Sequence, residues 1–268
     1  MPKVVVLLKQ TFDTEEKIIV TPQGVDEREA KFVINPYDEY ALEEAIQLKE
    51  KLGGEVIVVT CGTERSQEAL RTALAVGADE AIRLDSEGLG DDSYAVAEAL
   101  AAVISPVSPD LLLAGLFAVD SGSGSVALQV AERLGLPHAS AAVKLTLGTA
   151  EELGLSHSVQ AAQYALIERD AEGDTETVAL PLPALITAQQ GLNEPRYPSL
   201  PGIMKAKRKP LRTVTLSELG LSAGSSARTQ RAALYPPPPR STGKRIAGSP
   251  EEQATGLIEL LRTEAKVL

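Results

Sequence analysis

Val4-Val5-Val6-Leu7-Leu8, running straight into Lys9-Gln10, is an unbroken apolar stretch of strand length that ends on polar residues. A strand with one face in water alternates; a run without alternation belongs to a strand covered on both faces. Outward from it, Asn35-Pro36 predicts a helix start, with Asn as N-cap and Pro at the first helical position. Leu42, Ala45, Ile46 and Lys49 follow a helical stripe that Gly53-Gly54 ends. Val56–Thr60 is the next buried strand, and Glu64–Val76 the next helix, with Ala69, Leu70, Ala73 and Leu74 on one face. Ala81–Leu84, a helix over Ser93–Val103, Leu111–Gly115 and a helix over Gly124–Leu134 continue the series. Such alternation predicts an α/β domain built on a parallel sheet with helices on both faces.

The second half changes character. Ser140–Leu147, Ser156–Arg169 and Glu176–Leu180 read as strands joined by turns such as Glu172-Gly173-Asp174, and Ala184–Thr187 returns to the sheet. Residues 1–221 form this α/β domain. From Ser222 to Gly248 the chain is rich in Ser, Arg, Gly and Pro, including Pro236–Pro239, and predicts an extended linker. Ser249-Pro250-Glu251-Glu252 is a capping box, and Ala254, Leu257, Ile258 and Leu261 give the following helix one apolar face. Residues 222–268 are therefore an arm ending in a helix that must bury that face, either on a partner subunit or on its own domain.

Composition narrows the function. The chain has 268 residues, a formal charge of −11, one cysteine (Cys61), no Trp and three Phe. The negative balance argues against nucleic-acid binding, and no run of about 18 apolar residues suggests membrane insertion. A single cysteine excludes an internal disulfide and fits a reducing compartment. The chain opens directly on a strand-like run with neither a signal peptide nor an Arg/Ser-rich presequence, so a cytoplasmic location is expected.

Ligands of open parallel sheets bind beyond the carboxyl ends of the strands. Three such ends stand out: Leu7–Thr14, Asn35–Asp38 and Gly115–Ser125. The last is small and hydroxyl-rich and leads into a helix, which sets backbone N–H groups and Ser hydroxyls where a phosphate could sit. No Gly-Lys-Ser/Thr follows, so it is not a Walker A loop. Catalytic residues are not evident. His138 and His157 lack metal-ligand spacing, Ser123 lacks a nucleophile elbow, and Cys61 reads as a small apolar wall residue. No metal site is expected.

One stretch remains, Leu192-Asn193-Glu194-Pro195-Arg196-Tyr197-Pro198-Ser199-Leu200-Pro201-Gly202-Ile203-Met204-Lys205-Ala206-Lys207. Three prolines in seven residues predict a stiff, extended rather than helical backbone. Leu200 lies among them, followed by Lys205, Lys207, Arg208 and Lys209, a local cationic patch running to Arg212. A rigid loop presenting one leucine beside cations suits partner docking, because little ordering entropy is lost on binding. The same leucine could instead fold back into its own core.

This run, together with Val4–Gln10, Asn35-Pro36-Tyr37-Asp38, Val59-Thr60-Cys61-Gly62, Leu70–Ala75 with Gly77-Ala78-Asp79, and Pro109-Asp110-Leu111, resembles the beta (small) subunit of electron-transfer flavoproteins. The likeness runs in order from about Lys3 to Leu221. It implies a flavodoxin/Rossmann-like nucleotide-binding domain, an electron carrier without turnover of its own, and a heterodimer with an alpha subunit that holds most of the FAD. It implies a structural AMP at Leu7, Asn35, Pro36, Tyr37, Asp38, Cys61, Gly115, Asp120, Ser121, Gly122, Ser123, Gly124, Ser125 and Val126. Phe12, Asp13, Thr14 and Tyr37 would lie nearest the flavin ring. Tyr197, Leu200, Pro201, Ile203, Met204 and Lys205, within a docking loop over 192–209, would meet acyl-CoA or other flavin dehydrogenases. A quinone oxidoreductase would be the acceptor. The sequence departs from the family at Leu116-Phe117, where Lys-Gln is common, and at Gly124-Ser125-Val126, where Asn/Gln/Thr-type side chains are common, so nucleotide binding would lean on backbone N–H groups. The alternatives are an adenine-nucleotide-binding regulatory module, an electron-bifurcating subunit with a second FAD, and an ATP-dependent ligase or adenylyltransferase. The last is disfavoured by the absence of a lysine or arginine in Gly115–Ser125.

Overall fold

The computed structural model describes residues 2–21, 24–156, 160–222, 227–236, 238–239 and 242–268. Strand β1 (Lys3–Leu7) is followed by four short strands, β2 (Gln10–Phe12), β3 (Val20–Thr21), β4 (Gly24–Val25) and β5 (Phe32–Ile34), and by helix α1 (Pro36–Leu52). Three strand–helix units come next: β6 (Glu55–Gly62) with α2 (Gln67–Val76), β7 (Glu80–Asp85) with α3 (Ser93–Ile104), and β8 (Leu111–Gly115) with α4 (Ser125–Leu134). Strands β9 (His138–Gly148), β10 (Tyr164–Ala171), β11 (Asp174–Pro181) and β12 (Ala184–Ala188) precede α5 (Leu200–Ala206), β13 (Leu211–Val214) and α6 (Pro250–Leu260).

Nine strands form one sheet in the order β11-β10-β9-β12-β8-β1-β6-β7-β13. β1 is central and pairs in parallel with β6 and β8. Its unbroken apolar run serves two cores at once. Val4 and Val6 join a cluster with α1 and α2 residues such as Ala41, Ile46, Leu70 and Leu74. Val5 and Leu7 join a second cluster with α3 and α4 residues such as Leu100, Ile104 and Val130. A one-residue slip of β1 would exchange the two sets.

Most expected elements are present, with four corrections. The sheet is mixed, because β9, β10 and β11 pair antiparallel at one end while β12 runs parallel to both β8 and β9. The strand expected from Ser156 begins only at Tyr164, whose partner is Gly148 at the end of β9. His157 lies outside the described residues. The helix expected from Glu64 starts as a 3₁₀ turn over Glu64–Ser66 before α2. The proline-rich stretch is not extended throughout: Leu200–Ala206 is a short helix. The Ser199 side chain accepts a hydrogen bond from the Gly202 N–H at 3.2 Å, and Pro201 sits in the first turn, where a missing N–H costs nothing.

Ser249 and Glu252 make the capping box at the start of α6, and no residue of α6 is buried. The described residues from 227 to 248 carry no regular element.

Candidate functional site

Chain order fixes where a ligand could lie. From β1 the sheet grows toward β6 and β7, then the chain crosses by α3 and returns on the other side of β1 as β8. The carboxyl ends of β1 and β8 therefore flank a topological switch point. The first turn of α1 fills its floor. The Asp38 carboxylate accepts the Lys9 backbone N–H at 2.6 Å and the Gly115 N–H at 3.0 Å. The Asn35 amide donates to Asp38 Oδ1 and to the Phe117 carbonyl, each at 3.0 Å, while its oxygen accepts the Val119 N–H at 3.1 Å. Asn35 thus stands at the expected N-cap position, but its side chain makes no capping bond and ties the loop after β8 instead. Burial pushes the Asp38 carboxyl up to about 7, against the N–H donors of Lys9, Asn35 and Gly115 that hold it down. A Cβ at Gly115 would lie 2.3 Å from Asp38 Oδ1 and 2.7 Å from Tyr37 Cβ, so only glycine admits this approach.

Above the floor, Ala118–Ser123 closes a tight turn: Ala118 N–H donates to the Ser123 carbonyl and Gly122 N–H to the Ala118 carbonyl. Asp120 on this turn forms an ion pair with Lys9 at 2.7 Å across the switch point. Lys9, in the link between β1 and β2, thus brings a cation beside a turn that has none of its own; its place just past β1 was the available signal. Gly124 is the N-cap of α4 and no side chain caps that helix, so no capping side chain occupies its first-turn N–H groups. Leu7, Pro36, Tyr37 and the residues Ser121, Gly122, Ser123, Ser125 and Val126 lie at this same end of the sheet. Cys61, near the end of β6, has its thiol pushed up to about 12 by burial and the nearby Asp85 carboxylate, which makes it a wall and not a nucleophile.

The residues expected near a flavin fall into two aromatic pairs. Phe12 meets Phe32 with ring centroids 4.7 Å apart, and the Arg65 guanidinium lies 3.4 Å over the Phe32 ring. Asp13 pairs with Lys31, and Thr14 is exposed beside it. Tyr37 packs on Phe117 at 4.4 Å. The departure at Leu116-Phe117 therefore has a structural role, since Phe117 covers Tyr37. The contacts of Phe32 and Arg65 were not legible, because Phe32 reaches Phe12 through the β2–β5 pairing and Arg65 comes from the 3₁₀ turn after β6.

The docking stretch presents a ridge. Tyr197, Leu200 and Met204 are 93%, 79% and 73% exposed, with Pro201, Ile203 and Lys205 also at the surface. Leu200 does not fold into the core. The cationic patch is narrower than expected: Lys209 Nζ turns inward to the Leu74 and Ala78 carbonyls and Arg212 pairs with Glu80, which leaves Lys205, Lys207 and Arg208 at the surface. Among the described residues no group of three His, Cys, Asp or Glu side chains could hold a metal ion, and no helix is long and apolar enough to cross a membrane.

A doubly wound sheet with a switch point between β1 and β8 defines an α/β domain of the flavodoxin/Rossmann-like kind. The electron transfer flavoprotein domain matches residues 24–219. The chain is 46% identical over 266 residues to the electron transfer flavoprotein subunit beta of Bacillus subtilis, covering 98% of each. It is 40% identical over 266 residues to that of Syntrophomonas wolfei, covering 99% of this chain and 98% of the relative. For the mouse subunit the figures are 36% over 250 residues, 91% and 92%. The chain belongs to the electron transfer flavoprotein family, on its beta-subunit side.

Proposed function

We propose that this chain is the small half of a heterodimeric electron carrier. It closes over an FAD held mainly by an alpha subunit, accepts electrons from flavin dehydrogenases such as acyl-CoA dehydrogenases, and passes them toward a quinone oxidoreductase of the respiratory chain. The flavin supplies the redox chemistry; the protein supplies position, electrostatics and docking. The observation that carries this reading is the ridge of Tyr197, Leu200 and Met204, three large apolar side chains held in water on a capped helix and the segment that leads into it. A stand-alone nucleotide sensor has no use for such a ridge, and scattered single exposures do not account for three within eight residues.

Two further features support it. The exposed Leu257 and Ile258 of α6 need cover, which the alpha subunit would give. The switch point suits an adenosine monophosphate in kind: the α4 N-terminus offers N–H groups, and Lys9 stands beside the turn that precedes it. That nucleotide would be structural. The chain's lone cysteine and the bacterial relatives support a cytoplasmic carrier.

Leu200→Ala tests the reading. Truncating a central anchor costs about 2 kcal/mol or more in binding, which is more than tenfold in affinity. Electron transfer from a partner dehydrogenase at limiting carrier should fall accordingly, with flavin content and melting temperature unchanged. Normal transfer by the variant would refute docking through Leu200.

A further inference from the structure

Leu200 is held from two sides. On the α2 side the grip is steric and polar. Gly202 comes so close that a Cβ there would lie 2.3 Å from the Ala75 carbonyl oxygen. Arg71 Nη1 donates to the Ala206 and Lys209 carbonyls at 2.8 and 3.0 Å, fixing the end of α5. On the α1 side the grip is electrostatic and centres on one residue. Arg196 Nε and Nη2 each lie 2.9 Å from a Glu43 carboxylate oxygen, while Nη1 and Nη2 reach both oxygens of Glu50 at 2.6 and 3.0 Å. The Arg196 backbone N–H also points to Glu43 at 3.3 Å. Glu43 and Glu50 stand two turns apart on one face of α1, and the planar guanidinium spans them as no lysine could.

The Glu43 carboxylate is only 4% exposed, so this is not an ordinary surface pair. Burial works to raise its pKa, yet the Arg196 hydrogen bonds, joined by Gln47, hold it below the usual carboxylate range. Asn193, three residues earlier, adds a second tie by donating to the Tyr40 carbonyl and to Glu44, each at 3.0 Å. Between Arg196 and Leu200 lie only Tyr197, Pro198 and Ser199, and Pro198 stiffens the span.

We propose that Arg196 is a positioning residue for partner docking: its fork onto Glu43 and Glu50 fixes the angle at which Leu200 is offered to a dehydrogenase. The inference rests on the docking role of Leu200 given above. With the fork intact, the loop waits in its binding shape. Without it, only a fraction of molecules are competent at any moment, and apparent affinity falls by that fraction.

A double-mutant cycle in the complete heterodimer tests it, with KM for the carrier and kcat measured against one flavin dehydrogenase. The partner of Leu200→Ala is R196A/E43Q, which leaves no unpaired buried carboxylate. KM for R196A/E43Q should rise about tenfold with kcat, flavin content and melting temperature unchanged. In the Leu200→Ala background the same change should add less than about twofold, because Arg196 acts through Leu200. Amide exchange over residues 199–204 should accelerate in the free carrier. Unchanged KM in R196A/E43Q, or fully additive effects, would overturn the positioning role while leaving docking through Leu200 in place. A Leu200→Ala variant with unchanged KM would instead overturn the docking reading itself. Should R196A/E43Q fail to fold, Glu50→Gln decides, since it removes only the exposed half of the fork: a KM rise of about threefold supports the proposal and none refutes it.

Discussion

Thr229 donates both its backbone N–H, at 2.8 Å, and its hydroxyl to Oδ2 of Asp92, whose Oδ1 caps α3 by accepting the Ala95 N–H at 2.9 Å. One carboxylate thus serves a helix of the body and a residue of the C-terminal arm. Around it, Arg231 pairs with Asp91, and the Arg228 and Arg133 guanidiniums lie 3.8 and 4.2 Å over the Tyr94 ring. The hydrogen bonds from the Thr229 hydroxyl and the Ala95 N–H hold the Asp92 carboxyl down to about 2, so the latch persists until strongly acid pH. The arm therefore departs from a fixed point near α3.

Thr229→Val should loosen that point, since it removes the hydroxyl bond and leaves the backbone N–H on Asp92. The α3 cap survives through Oδ1, so the melting temperature should scarcely move. Amide exchange at residues 228–231 of the isolated chain should rise several-fold, and association with the alpha subunit should slow, because the arm must then be ordered further on binding. Deleting residues 223–268 should go further and weaken or abolish co-purification. Unaltered exchange in Thr229→Val would show that the hydroxyl bond to Asp92 holds nothing.

Asp38 should give the fold a pH signature. Its folded pKa, about 7, lies above the unfolded value near 4, so the folded state holds the extra proton between them. Stability from this group is then complete below about pH 4 and is lost as pH rises toward 7, at up to about 1.4 kcal/mol per pH unit. Denaturant midpoints for wild type and Asp38→Asn should diverge across that window, the wild type losing ground as pH rises. Parallel profiles would mean that Asp38 is ionised throughout.

The nucleotide reading has a direct chemical check. Acid extraction of the purified heterodimer, followed by chromatography, should release adenine nucleotide near one equivalent. It should exchange slowly and raise the melting temperature by mass action. A fully stable heterodimer without nucleotide would remove AMP from the account, and a second FAD would place the protein with the bifurcating carriers.

Charge beside the ridge should act on rate. Changing Lys205 and Lys207 to Gln should lower the association rate with a dehydrogenase several-fold at low salt, with the difference shrinking as salt screens it. Leu200→Ala should act mainly on dissociation. An effect of the lysine changes that ignores salt would contradict a steering role.

The sequence carried the fold through its strongest periodic signals. The Val4–Leu8 run, the Asn35-Pro36 start and the Ser249–Glu252 box each express a local rule that tertiary structure had no reason to override. What stayed hidden depends on partners distant in sequence. The antiparallel end of the sheet is set by pairing of β9 with β10, which no local pattern in Ser156–Arg169 dates to Tyr164. The helix at Leu200 was obscured by its own prolines, although Ser199 followed by a first-turn proline is a legitimate start signal. The contacts of Lys9, Arg65 and Arg196 exist only because the fold brings Asp120, Phe32 and Glu43 beside them, from 111, 33 and 153 positions away respectively.

Reconstitution with the flavin-bearing subunit tests the central claim most directly. The purified chain should be colourless alone. Mixed with an alpha subunit and FAD, it should yield a yellow one-to-one heterodimer whose flavin absorbance bleaches when a substrate-reduced dehydrogenase is added. The same bleaching should slow more than tenfold with Leu200→Ala. A chain that forms no complex with any alpha subunit, or a complex whose bound flavin the dehydrogenase cannot reduce, would contradict the account.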